Sequence, residues 1–67
     1  MYYYAEVENA QSYSVADSLK AKSLVSAKRE ASRKQFFTQT VIEIGNEINS
    51  QGFILEPIAR KIDGIWS

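Results

Sequence analysis

Two segments of alternating apolar and polar residues flank one segment of helical composition, and this arrangement limits the chain to an α+β fold. Residues 2–8 alternate with the period of a strand, and residues 38–44 repeat that period with many β-branched side chains. Residues 24–35 between them contain no Gly or Pro, and Ser23 is a favourable N-cap. We therefore expect strands over both alternating segments and a helix over residues 24–35.

Two further strands are expected from shorter signals. One lies near residues 12–18, after a polar loop, and the other begins at residues 53–56. Pro57 cannot donate a ladder hydrogen bond, so the later strand should lie at an edge or contain a bulge, and Asp63-Gly64 marks a turn. The predicted order is ββαββ, an antiparallel sheet with one helix packed on one face.

A single long helix over residues 15–37 is the competing interpretation of the middle of the chain. On a helical wheel, Val15 and Leu19 would then lie away from the apolar stripe made by Leu24, Ala27 and Ala31. We therefore favour the shorter helix, which Phe36 and Phe37 are expected to end against the core.

Composition limits both size and chemistry. A chain of 67 residues allows one domain, residues 1–67, and its 17 Leu, Ile, Val and Phe residues are enough for it to fold. Cys and His are both absent, which removes thiolate nucleophiles, zinc-thiolate sites and the commonest general base. Carboxylates at Glu6, Glu8, Glu43 and Glu47 match no cation-binding motif. We expect a protein that is not an enzyme and has no metal or cofactor.

The distribution of apolar residues also bears on location. The longest uncharged runs, such as residues 35–42, are far shorter than the roughly 20 apolar residues that span a bilayer. The first residues lack the basic and apolar regions of a signal peptide. A cytoplasmic protein is the expectation.

One helix cannot cover both faces of a sheet, so one face should remain open. The residues expected to face the helix are Tyr3, Ala5, Val7, Thr40, Ile42 and Ile44. The residues expected on the open face include Tyr2, Tyr4, Val41 and Glu43. Tyrosine is enriched in interface cores, so these four residues are predicted to form a surface for a protein partner or a homodimer. The alternative is that the tyrosines merely shield the sheet.

Charge is distributed unevenly along the chain. Residues 20–34 contain six basic and one acidic residue, whereas the remainder contains two basic and seven acidic residues. A basic ridge of Lys28, Arg29, Arg33 and Lys34 could bind nucleic-acid phosphates, which is the alternative function. Two observations argue against nucleic-acid binding. The net charge of the chain is zero, and charged residues on a helix ordinarily form a solvated face.

Three parts of the sequence together resemble a group of known proteins. They are residues 23–33, residues 40–45 and Pro57-Ile58-Ala59 with the later Gly64 and Trp66. This combination is similar to small uncharacterised proteins encoded by phages and prophages. The resemblance implies a viral or prophage accessory protein in a bacterial or phage-infected host cell, and it implies no activity.

Trp66 has two possible roles. It either folds back to close the core of a small domain or anchors a partner at an interface. We expect the core role.

Overall fold

The computed structural model describes residues 1–7, 15–36 and 40–67. Within these residues the elements are β1 (Tyr3–Val7), β2 (Asp17–Ser18), α1 (Leu24–Lys34), β3 (Val41–Gly45), β4 (Ala59–Ile62) and β5 (Ile65–Trp66). The five strands form one antiparallel sheet in the order β2-β1-β3-β4-β5. The α+β class is confirmed, but the described order is ββαβββ rather than ββαββ.

Helix α1 begins and ends close to the predicted positions. The Ser23 side chain accepts a hydrogen bond from the Ser26 N–H at 3.3 Å, which caps the first turn. Arg33 and Lys34 place positive charge at the negative end of the helix dipole. In the described part of the chain, no helix has the length and apolar character required to cross a membrane.

The hydrophobic core lies between α1 and one face of the sheet, here called the helix face. Ala27 and Ala31 are fully buried, as are Ile42 and Ile44 of β3 opposite them. The small alanine side chains let the helix approach the sheet closely. Leu19 and Ala59 complete this core. The apolar stripe of α1 correctly predicted which side of the helix is buried.

The predicted orientation of β1 is wrong. Tyr4 pairs with Ile44 and Glu6 pairs with Ile42, and directly opposed residues of antiparallel strands point to the same face. The even-numbered residues of β1 therefore share the helix face with the core of β3. Ala5 and Val7 are buried on the opposite face, here called the outer face.

The segment of residues 46–58 forms a second layer that explains why one end of the outer face is covered. Ile54 lies so close to Gly45 that a Cβ atom at Gly45 would clash with Ile54 Cγ2. The segment also reaches β2, because the Gly52 carbonyl accepts a hydrogen bond from the Ala16 N–H at 2.9 Å. The end of the outer face that contains Gly45 is therefore covered.

The predicted strand beginning at residues 53–56 is wrong as well. Ile54 forms an isolated bridge with Ile48, and β4 begins beyond Pro57, at Ala59. The predicted turn at Asp63-Gly64 is confirmed, with φ angles of 52° and 81° that are typical of a type I′ hairpin. This hairpin adds β5, which the prediction lacked.

Phe36 does not end α1 against the core as expected. Phe36 is 86% exposed. Phe37 lies outside the described residues, as do residues 12–14 of the predicted second strand. The described part of that strand is Asp17–Ser18.

Candidate binding surfaces

The four residues predicted to form a protein interface do not share one surface. Tyr2 and Tyr4 are partly buried and pack against the core on the helix face. The Lys34 Nζ atom lies 5.8 Å from the centroid of the Tyr4 ring. Val41 and Glu43 lie on the outer face, because their neighbours Ile42 and Ile44 point into the core. The tyrosines therefore contribute to packing on the helix face.

The environment of Tyr4 fits this packing role. Burial raises the pKa of the Tyr4 phenol, and the negative charge of Asp17 raises it further. Lys34 acts in the opposite direction. Since the phenol stays neutral, no ionised oxygen is placed beside the core.

The outer face carries a row of branched aliphatic side chains where residues 46–58 do not cover it. Ile62 pairs directly with Ile65 across the β4–β5 hairpin, and continuing the β3–β4 register by one residue places Val41 beside Ile62. Ile62 is 47% exposed and Ile65 is 70% exposed, while Val41 is partly buried. We call Val41, Ile62 and Ile65 the aliphatic row.

An ion pair lies next to the aliphatic row on the same face. Glu43 pairs with Arg60 across β3 and β4, and the Arg60 Nε atom donates to Glu43 Oε2 at 2.7 Å. The Arg60 side chain remains about half exposed. This part of the outer face therefore combines apolar side chains with one acid and one base whose charges cancel.

The four residues of the predicted basic ridge have different surroundings. Lys34 forms an ion pair with Glu30 at 3.3 Å, and the Lys28 Nζ atom lies 5.8 Å from the centroid of the Trp66 ring. Arg29 and Arg33 are exposed, and no residue in the described ranges forms an ion pair with either. The accessible positive charge of the ridge is therefore concentrated at these two arginines.

A groove separates α1 from the β5 edge of the sheet. Its volume is about 470 Å³. The residues that line it are Val25, Lys28, Arg29, Ser32, Arg33 and Trp66. Trp66 packs against the core, as expected, and remains partly accessible in this groove. We call this site the Trp66 groove.

Glu30 is a buried acid whose position sequence reasoning missed. Glu30 Oε1 accepts hydrogen bonds from the Lys20 and Ala21 N–H groups, both at 3.0 Å, and Oε2 pairs with Lys34. The hydrogen bond from Lys20 contributes most to lowering the pKa of Glu30, and Lys34 lowers it further. In the sequence, Glu30 is the one acidic residue in a segment with six basic residues. This contrast was the signal that could have drawn attention to it.

Two of the carboxylates considered for cation binding have other partners. Glu6 accepts from the Phe36 N–H at 2.9 Å and from the Thr40 hydroxyl at 2.6 Å. Glu43 pairs with Arg60, and Glu8 lies outside the described residues. No group of three potential metal ligands occurs in the described ranges.

The sequence matches no known protein-family model and no curated protein significantly. The assignment of a site therefore rests on the residues and geometry of this chain.

Ile62, Ile65 and the Trp66 groove are the features that sequence reasoning missed. An Asp-Gly pair flanked by two isoleucines is a strong hairpin signal, and it would have placed Ile62 and Ile65 side by side. The groove has no comparable local signal, because it joins residues of α1 to a strand more than 30 residues later.

Proposed function

We propose that the protein is a small non-enzymatic binding module that uses its outer face, and that its partner is a second copy of the chain. The observation that supports this proposal is the aliphatic row, in which Ile62 and Ile65 are 47% and 70% exposed beside partly buried Val41. Covering these side chains would remove apolar surface from water. The resemblance to phage-encoded proteins suggests an accessory role in the cytoplasm of a bacterial or phage-infected cell.

The charges beside the aliphatic row support self-association over binding to a strongly charged partner. Glu43 and Arg60 neutralise each other, so this ion pair adds no net charge beside the aliphatic row to attract another molecule. A two-fold symmetric contact brings each surface against the same surface of the second copy. Glu43 of one copy can then lie opposite Arg60 of the other. An apolar, neutral surface is well suited to such a contact.

The proposal predicts a dimer that persists in salt and is lost when the aliphatic row becomes polar. In the double variant Ile62→Thr/Ile65→Thr, both residues keep a β-branched side chain suited to a strand but lose apolar area. Because each substitution occurs twice in a symmetric dimer, we expect association to weaken by about 100-fold or more. Light scattering at about 50 mM and about 1 M salt measures the mass of each protein.

Val25→Thr is the matched control, because Val25 is 63% exposed but lies on α1, which packs on the opposite face of the sheet from the aliphatic row. This variant should form the same dimer as the unmodified chain. A monomer at both salt concentrations and at about 1 mM protein would contradict self-association, since that concentration detects even weak dimers. A dimer that survives the double isoleucine substitution would place the interface elsewhere.

A further inference from the structure

The Trp66 groove has a chemistry different from that of the outer face. Lys28, Arg29 and Arg33 line it, and no acidic residue of the described ranges does. Arg29 and Arg33 are one helical turn apart and both are exposed. Two arginines in this position can each hold an anionic group, because the planar guanidinium donates several hydrogen bonds at once.

An aromatic ring lies beside these cations. Trp66 pairs with Lys61 in the β4–β5 hairpin, and the Lys61 Nζ atom donates to Ser32 Oγ at 3.2 Å and to Gln35 Oε1 at 3.2 Å. These contacts tie the strand that neighbours Trp66 to α1. The indole is thereby held next to the basic side of the helix, where a flat ligand can stack on its accessible part.

We infer that the Trp66 groove binds single-stranded nucleic acid, with phosphates held by Arg29 and Arg33 and a base stacked on Trp66. Aromatic rings beside positive charge are the common features of single-strand binding sites, because bases stack and the backbone is anionic. A duplex keeps its bases stacked on one another, so the indole would gain nothing from it. An acidic peptide could pair with Arg29 and Arg33 but would not require the Trp66 ring for binding.

This inference is independent of self-association, because the groove and the aliphatic row consist of different residues. The charge balance of the whole chain is zero, so binding depends on the local cations. We expect modest affinity that decreases with salt, with a log-log slope of about −0.7 for each phosphate contact on a single strand.

The test uses the full chain and a single-stranded dT oligonucleotide of about 12 residues. Trp66 is the single tryptophan of the sequence, so its fluorescence reports directly on the groove. The oligonucleotide should quench this emission. The double variant Arg29→Gln/Arg33→Gln should bind about tenfold more weakly or worse and show a salt slope reduced by about 1.4, because two phosphate contacts are lost.

Lys20→Gln/Lys22→Gln is the matched control for charge. Both lysines are exposed, belong to the same basic segment and lie outside the lining of the groove. This variant should bind almost as well as the unmodified chain. An equal loss of affinity in both double variants would overturn the inference, because it would show that charge alone matters.

Three other results would also overturn it. The first is no quenching of Trp66 at about 100 μM protein in low salt, since non-specific binders commonly reach that range. The second is equal affinity for a duplex of the same length. The third is equal quenching by a poly-glutamate peptide, which would identify the groove as a site for acidic peptides. The Ile62→Thr/Ile65→Thr variant should still bind, so failure of self-association leaves this test intact.

Discussion

At the residue scale, Glu30 shows how a charged side chain can act as a structural part of a small fold. Its carboxylate joins α1 to the segment before it through the Lys20 and Ala21 backbone and to the helix itself through Lys34. These partners stabilise the ionised form against the unfavourable effect of burial, so the pKa is lowered from its ordinary value of 4.5. The charge of Glu30 therefore favours the folded state.

This linkage predicts a specific loss of stability in acid. Since the pKa of Glu30 is lower in the folded chain, its stabilising effect is present above the unfolded value of 4.5 and is lost as pH falls through the folded value. Glu30→Gln should be less stable than the unmodified chain near neutral pH and should lose less stability on acidification. Urea unfolding at about pH 7 and about pH 3 measures both effects.

The exposed Glu56→Gln substitution is the control for removing a carboxylate. It should leave the pH dependence close to that of the unmodified chain. If Glu30→Gln lost as much stability between the two pH values as the unmodified chain, the hydrogen bonds to Glu30 would not control the acid response.

At the element scale, α1 was predictable from sequence and the orientation of β1 was not. The N-cap, the alanine stripe and the absence of Gly and Pro are local signals, so they identify the helix and its buried side. In β1, tyrosine occurs on both faces, and Ala5 and Val7 are buried on the outer face, so alternation alone does not show which side meets the helix. The pairing of β1 with β3 determines which residues of β1 face the helix.

The β4–β5 hairpin illustrates the same distinction. Asp63-Gly64 was recognised as a turn, but the strand after it is two residues long and leaves little alternation to detect. The aliphatic row follows from this hairpin together with the β3–β4 register, which depends on residues distant in sequence. Val41 and Glu43 could therefore be placed on the outer face from sequence, whereas their neighbours Ile62 and Ile65 could not.

The second layer formed by residues 46–58 predicts a large cost for a small change in β3. Gly45→Ala would place a methyl group against Ile54 Cγ2, so we expect a loss of about 1–3 kcal/mol in the free energy of unfolding from overpacking. In an Ile54→Ala background, the methyl group at position 45 should cost less or become favourable because Cγ2 is absent. Urea unfolding of the single and double variants gives this coupling.

An equal cost of Gly45→Ala in both backgrounds would mean that Ile54 does not limit the space above β3. The segment of residues 46–58 would then not be packed on the outer face as described.

At the scale of the whole molecule, the two candidate surfaces differ in charge and in polarity. The segment of residues 20–34 carries a net charge of +5 and the remainder −5. Arg29 and Arg33, which form no ion pair with any residue of the described ranges, lie on α1, away from the aliphatic row. A head-to-tail contact between basic and acidic surfaces would weaken in salt, whereas a symmetric apolar contact would not. The division of surfaces favours the symmetric contact for self-association.

The most direct test of the outer-face interface is the concentration dependence of backbone amide chemical shifts. Between about 20 μM and about 1 mM protein, a weak dimer changes from mostly monomer to mostly dimer. We predict shift changes centred on Val41, Ile62 and Ile65, with little change at Arg29 and Arg33. Two results would contradict the account. One is chemical shifts that do not depend on concentration, in protein whose mass shows that it is monomeric. The other is shift changes confined to the helix side of the molecule.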